Sequence, residues 1–149
     1  MGHFYETWCN PEDSRKLALK TFNKFSKNIK ADSVTVDASN ESYVQFTFIV
    51  CDEKVCGFRL NEFPRAGTVA ISSETWVNYS LRNTGMGKAL QKVKEKIARL
   101  NSIYLLVATV SENNKPERHL LKKFGWKKLI LYPSYGETYN CLLYAKRIS

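Results

Sequence analysis

Two glycines separated by one residue, Gly85-Met86-Gly87, stand behind Arg82 and ahead of Lys88. The chemistry such a pattern can do is anion binding. A helix start carries unpaired N–H groups and partial positive charge, and glycines remove the Cβ atoms that would keep a phosphate away from them. The amides of Asn83, Thr84, Gly85, Met86, Gly87 and Lys88 are placed to face one pyrophosphate, with Arg82 and Lys88 adding mobile charge. The same glycines would equally serve a tight turn that needs positive φ. The pattern is not a P-loop, and it is not the dinucleotide fingerprint, whose third glycine is replaced here by Leu90.

Other reactive side chains are sparse. The four cysteines (Cys9, Cys51, Cys56, Cys141) form no C-x-x-C pair, and only His3 and His119 accompany them, so no metal site is expected and the thiols read as reduced core residues. His119 has a suitable reference pKa for proton transfer, but beside Arg118 it reads as a solvent-facing helix residue. Lys115, Arg118, Lys122, Lys123, Lys127 and Lys128 form a second basic cluster, fit for a phosphate of a cofactor, for nucleic acid, or simply for water.

The elements that must position these residues follow from periodicity and turn chemistry. Residues 3–8 read as a short strand. Asn10-Pro11-Glu12-Asp13 starts a helix whose apolar face (Ala18, Phe22, Phe25, Ile29) runs to about Lys30. A polar connector, 31–42, holds one short strand at Val34-Thr35-Val36. Residues 43–50 and 55–60 form a hairpin, residues 64–67 turn, and an extended run reaches from Thr68 to about Tyr79. The helix after the glycines shows one apolar stripe (Met86, Leu90, Val93, Ile97, Leu100), with Lys88, Lys92, Lys94, Lys96 and Arg99 assigned to other faces. Ile103 to Val110 is apolar enough for a sheet interior, Pro116 opens a short helix ended by Gly125, and residues 126–132 and 139–147 close the chain as strands. The order is β-α-β-β-β-α-β-α-β-β. It predicts an α/β (α+β) fold with a single mixed, largely antiparallel sheet, a parallel strand-helix-strand crossover and helices on both faces.

Composition bounds the class. At 149 residues, with 44% hydrophobic and 13% aromatic content, the chain is one domain, 1–149, with a core of its own and no disordered character. No apolar run approaches a membrane span and no signal-peptide core opens the chain, so a cytoplasmic protein without membrane partners is expected. The excess of 23 basic over 14 acidic residues, +9, favours anionic ligands without naming one.

The stretch Trp76-Val77-Asn78-Tyr79-Ser80-Leu81-Arg82-Asn83-Thr84-Gly85-Met86-Gly87-Lys88-Ala89-Leu90 resembles the acetyl-CoA motif of the GNAT superfamily of N-acetyltransferases, R/Q-x-x-G-x-G/A between a strand and a helix. Asn114, Leu120 and Lys123-Phe124-Gly125-Trp126 are similar to that family's N…L…K-x-G-F segment, and Lys54-Val55-Cys56-Gly57-Phe58 to its usual hairpin return. The resemblance spans roughly residues 3–147. It implies an acyl-CoA-dependent N-acyltransferase domain that moves acetyl from acetyl-CoA to a primary amine, on a small molecule, a protein lysine or an N-terminus, by direct attack in a ternary complex. It implies that backbone at Val77 and Tyr79 pairs with the pantetheine arm, that residues 82–88 hold the pyrophosphate, and that Asn114 touches the cofactor or caps its helix. Glu74, on the strand entering the motif, is then the candidate base, with an ordinary exposed carboxylate as the alternative. Two features depart from the family. Leu121 occupies the position where members often carry a tyrosine acid, so kcat is expected to rise through neutrality and plateau without an acidic group's descending limb. The connector 31–42 is short where many members place a second helix. The reading from another class is a GNAT-like module that binds nucleic acid through its basic surface, or an acyltransferase whose amine is borne on nucleic acid.

Overall fold

The computed structural model describes residues 9–38, 43–63, 68–133 and 140–148. The expected first strand at 3–8, the expected turn at 64–67 and residues 134–136 of the turn expected at 133–136 lie outside them. Helix α1 (Pro11–Phe25) starts where Asn10 accepts hydrogen bonds from the amides of Glu12 and Asp13, both at 3.1 Å, with proline at its first position and acids in its first turn. It stops at Phe25 and not near Lys30. Asn23 explains this, because its side chain bonds the Ala31 backbone both ways (2.8 and 3.0 Å) and draws the chain back.

Strands β1 (Ser33–Asp37), β2 (Tyr43–Val50), β3 (Glu53–Glu62) and β4 (Val69–Val77) form an antiparallel meander. The β2–β3 hairpin turns through Cys51 and Asp52, both at positive φ, and the Asp32 carboxylate accepts from the Cys51 amide at 2.6 Å. Val44, Phe46, Phe48, Cys56, Phe58 and Leu60 are buried at alternate positions, the period of a strand with one face on the core. Phe22 of α1 stacks on Phe48 (4.3 Å), and Phe46 stacks on Phe58 (4.8 Å).

Helix α2 (Met86–Leu100) then crosses to β5 (Leu105–Ser111), which runs parallel to β4 as expected. Helix α3 (Lys115–Lys123) leads to β6 (Lys127–Pro133) and β7 (Asn140–Arg147). The seven strands lie in the order β1-β2-β3-β4-β5-β7-β6, a mixed sheet in which β4–β5 is the parallel pair.

The expectation of helices on both faces needs correction. Lys92 of α2 lies 5.5 Å from the Phe25 ring of α1 and 5.4 Å from the Phe124 ring at the end of α3. Lys146 of β7 reaches both Glu95 of α2 and the Phe124 carbonyl. All helices among the described residues therefore share one face. The physical reason is that β4→β5 and β5→β6 step the same way across the sheet, so crossovers of one hand put α2 and α3 on the same side. Residues 26–32 form no helix that could cover the other.

Candidate active site

Strand β4 ends at Val77, two residues before the expected Tyr79. The Asn78 amide bonds Val55 and its side chain bonds the Lys54 carbonyl, and a 3₁₀ turn then covers Tyr79–Leu81. Tyr79 is 84% exposed, and its carbonyl accepts from the Arg82 amide, so its backbone does not continue the strand. The extended edge thus includes Val77 and not Tyr79.

The glycine turn has the geometry its sequence implied. Asn83 (φ 65°) and Gly85 (φ 88°) are both left-handed, which coils the backbone so that successive amides converge. Thr84 closes the turn by donating its hydroxyl to the Leu81 carbonyl. Gly85 caps α2, and Ala89 makes the first bond back to it (3.2 Å), so the amides of Met86, Gly87 and Lys88 have no carbonyl of their own helix to meet. The first turn of α2 carries no acid; it carries Lys88. The Lys123 ammonium of α3 stands against Lys88 and lowers the Lys88 pKa from its usual value. A cation in a helix's first turn with a second cation against it is unfavourable until an anion enters. Arg82 folds over the Tyr79 ring (5.3 Å) at the same mouth. Arg82, Asn83, Gly85, Met86, Gly87 and Lys88 line a cleft of about 710 Å³ with Thr75, Trp76, Asn114, Glu117 and Leu120. The basic cluster expected around residues 115–128 is therefore divided. Lys123 faces the glycine turn, whereas Lys115, Arg118, Lys122, Lys127 and Lys128 surround a separate groove over Trp126 and Tyr144.

The second half of the site is a seam in the sheet. β4 and β5 pair only from Val69↔Leu105 to Ile71↔Val107, although β4 continues to Val77 and β5 to Ser111. Beyond that point the strands part. The Asn78 amide faces β3, so by ladder alternation the backbone groups of Val77 and Thr75 face the opened edge. A cavity of about 190 Å³ fills the seam, lined by residues 72–75, 108–111, Asn114, Glu117 and Leu121. Thr75, Asn114 and Glu117 also line the cleft at the glycine turn, so the two spaces meet there.

Glu74 lines the seam from the helix-free face. It lies 3.6 Å from Arg59, which is itself held by Gln45 (3.0 Å) and the Tyr43 ring (4.2 Å). Its carboxylate is half exposed and oriented by a neighbour. On the same face Gly57 makes room for Trp76, since a Cβ there would come within 2.9 Å of the indole and would collide with the Phe46 carbonyl. Asn114 caps α3, accepting from the Glu117 amide at 3.3 Å, and still borders both cavities, so its capping role is shown directly. His119 is exposed on the rim between the cleft and the basic groove. Leu121 is buried against the seam and offers no proton.

The largest departure from the sequence reading is Lys94. It was assigned to a polar face of α2, yet it is 1% exposed, and its ammonium donates to the Thr75 hydroxyl, 5.7 Å from the Phe58 ring. Burial pushes its pKa down to about 8, against a smaller upward pull from Glu117. The missed signal was spacing: Lys94 is four residues after Leu90 and three before Ile97, inside the apolar stripe. Among the described residues no cluster of histidine, cysteine or acidic groups could hold a metal, and no helix is long and apolar enough to cross a membrane.

No protein-family model matches the chain, and no curated protein matches it by sequence. Solved structures do. A Desulfovibrio desulfuricans protein assigned to the GNAT acetyltransferase family superposes with a TM-score of 0.67 at 15% identity, over 94% of this chain and 95% of its own. The ribosomal-protein-S18-alanine N-acetyltransferase of Escherichia coli gives 0.64 at 15% identity, over 88% of each chain. A Bacillus anthracis protein assigned as a streptothricin acetyltransferase, solved with acetyl coenzyme A, gives 0.64 at 12% identity; the match covers 72% of this chain and 64% of that longer one. With a sheet that opens between its parallel strands beside a glycine-capped helix, the chain has the fold of the GNAT acetyltransferases.

Proposed function

We propose that the chain is an acetyl-CoA-dependent N-acetyltransferase that transfers acetyl to a primary amine by direct attack in a ternary complex. The observation that carries this reading is the junction of two spaces at Thr75, Asn114 and Glu117, one floored by helix-start amides and the other opening through the sheet. The pyrophosphate sits on the amides of residues 83–88, between Arg82, Lys88 and Lys123. The pantetheine arm runs along the opened edge of β4 at Val77 and Thr75, so that the thioester arrives at the junction.

Bound acetyl-CoA supplies an activated acyl group with a thiolate leaving group. The protein holds its carbonyl in the seam, where backbone N–H groups of the parted strands can stabilise the oxyanion. The amine enters from the helix-free face, and Glu74, fixed by Arg59, takes its proton directly or through water. That face carries no helix among the described residues, which leaves room for an acceptor on a peptide end as well as a small amine. Acceptors of both kinds occur among the neighbours, as the names of the alanine and streptothricin acetyltransferases say. An acetyl-CoA-consuming reaction fits a cytoplasmic location.

The test is calorimetric titration with CoA, followed by thiol release from acetyl-CoA with a panel of amines and N-terminal peptides. Saturable CoA binding with amine-dependent thiol release is expected. A folded protein that binds no CoA overturns the reading.

A further inference from the structure

We propose that Thr75 is the proton donor to the departing thiolate, and that the buried Lys94 is the residue that positions and recharges it. This rests on the acetyl-transfer reading above and concerns the acid that Leu121 cannot be. An ammonium has only donors, so once Lys94 has bonded the Thr75 oxygen, the hydroxyl proton must point away from it. Thr75 borders both the cleft at the glycine turn and the seam, and Leu121 borders the same seam cavity. Its hydroxyl therefore stands where the cofactor's reactive end must meet the acceptor.

The groups facing the Lys94 ammonium are the Thr75 hydroxyl from β4, the Phe58 ring from β3 and the Glu117 carboxylate from α3. None of them removes its charge in a salt bridge. A lysine kept in so dry a place costs stability, and its burial pushes its pKa down to about 8, within reach of a thiol's ordinary value.

The step balances without a further reactant. The amine nitrogen bonds to the carbonyl carbon and the C–S bond breaks. The electron pair on sulfur takes the Thr75 proton, and the threonine oxygen takes one from the Lys94 ammonium. The neutral Lys94 regains a proton equivalent to the one shed by the acylated nitrogen. Product is an amide and a free thiol.

Two measurements test it. In the protein without cofactor, NMR titration of the lysine side chains should place Lys94 near pH 8, apart from the surface lysines. Thr75→Val should move it lower, because the hydroxyl oxygen that accepts from the ammonium is gone. In the second, thiol release from acetyl-CoA is followed with hydroxylamine, a nucleophile small enough for any open acceptor site, after subtraction of the uncatalysed rate. Wild-type kcat should fall as pH rises through about 8, the reverse of the plateau that Leu121 alone implies. Thr75→Val and Lys94→Met should each lower kcat at pH 7 by about 10- to 100-fold with little change in KM for acetyl-CoA, and Lys94→Met should lose the alkaline limb. Full kcat in Thr75→Val, an alkaline limb that survives in Lys94→Met, or a Lys94 that titrates with the surface lysines overturns the inference and leaves acetyl transfer standing. Absence of CoA binding by wild type overturns the enzyme reading itself, whatever Lys94 does.

Discussion

At the start of α2 the groups offered to a ligand are backbone amides from consecutive residues, 83–88. In the seam they are the side chains of Glu74 and Thr75 of β4 and Glu117 of α3, backed by Arg59 of β3 and the buried Lys94 of α2. The two regions touch, yet they are built on opposite principles. A backbone site depends on φ angles and on the absence of bulk, so most side chains in it are replaceable. A side-chain site fails one residue at a time, and it stores its cost as buried charge. The glycine turn should therefore respond to substitution in binding, and the seam in rate and in pH dependence.

The largest effect expected is on the glycine turn. Gly87→Glu places a carboxylate among the amides, and the nearest atom to a new Cβ is the flexible Leu120 Cδ2 at 3.4 Å, so the fold should hold. CoA affinity by calorimetry should drop at least ~100-fold while the circular dichroism spectrum is unchanged. Unaltered affinity would remove the turn from the site. Gly85→Glu should do the same but also lower Tm, because a side chain at φ 88° is strained.

Glu74→Gln tests the seam from its helix-free side. kcat should fall roughly 10- to 100-fold with CoA affinity preserved, the converse of Gly87→Glu. A variant that loses affinity and keeps kcat would dissolve the distinction between the two regions.

Lys94 sharpens the contrast through stability. In the unfolded chain a lysine keeps its proton to about pH 10.4, whereas folded Lys94 releases it near 8. Between those values the unfolded state binds more protons, so wild-type stability should rise with pH across that window and be lost again as pH falls to 8. Lys94→Met should abolish this rise and, at pH 7, stabilise the protein by about 1–3 kcal/mol in denaturant unfolding while it damages turnover. Parallel stability profiles for the two proteins would contradict the burial of that charge.

The smallest effect is expected where the basic cluster divides. Lys123→Gln should weaken CoA binding about 3- to 10-fold and flatten its salt dependence, because Lys123 stands with Lys88 at the helix start. Lys127→Gln and Lys128→Gln, in the groove over Trp126 and Tyr144, should leave CoA affinity unchanged. Equal losses at all three would join the groove to the cofactor site.

By itself the sequence determined what depends on neighbours along the chain. Asn10-Pro11 starts α1, the alternation of Val44, Phe46 and Phe48 makes a one-faced strand, and Gly85-Met86-Gly87 makes a helix start open to an anion. Caps, periods and left-handed turns act over a few residues, so the element order and the glycine-capped start of α2 were legible in residue types. The tertiary structure alone decided the rest. The end of β4 at Val77 is set where the Asn78 side chain holds the Lys54 carbonyl and a 3₁₀ turn begins, and the end of α1 by a bond between Asn23 and Ala31, both closing loops that spacing does not reveal. That Lys123 and not Lys127 meets Lys88, that Arg59 orients Glu74, and that the helices gather on one face depend on elements distant in sequence. Lys94 shows the reason most clearly. Its charge argues for the surface, its position in the stripe argues for the core, and only the packing of α2 over Thr75 and Phe58 settles the conflict by burying an ammonium beside a hydroxyl.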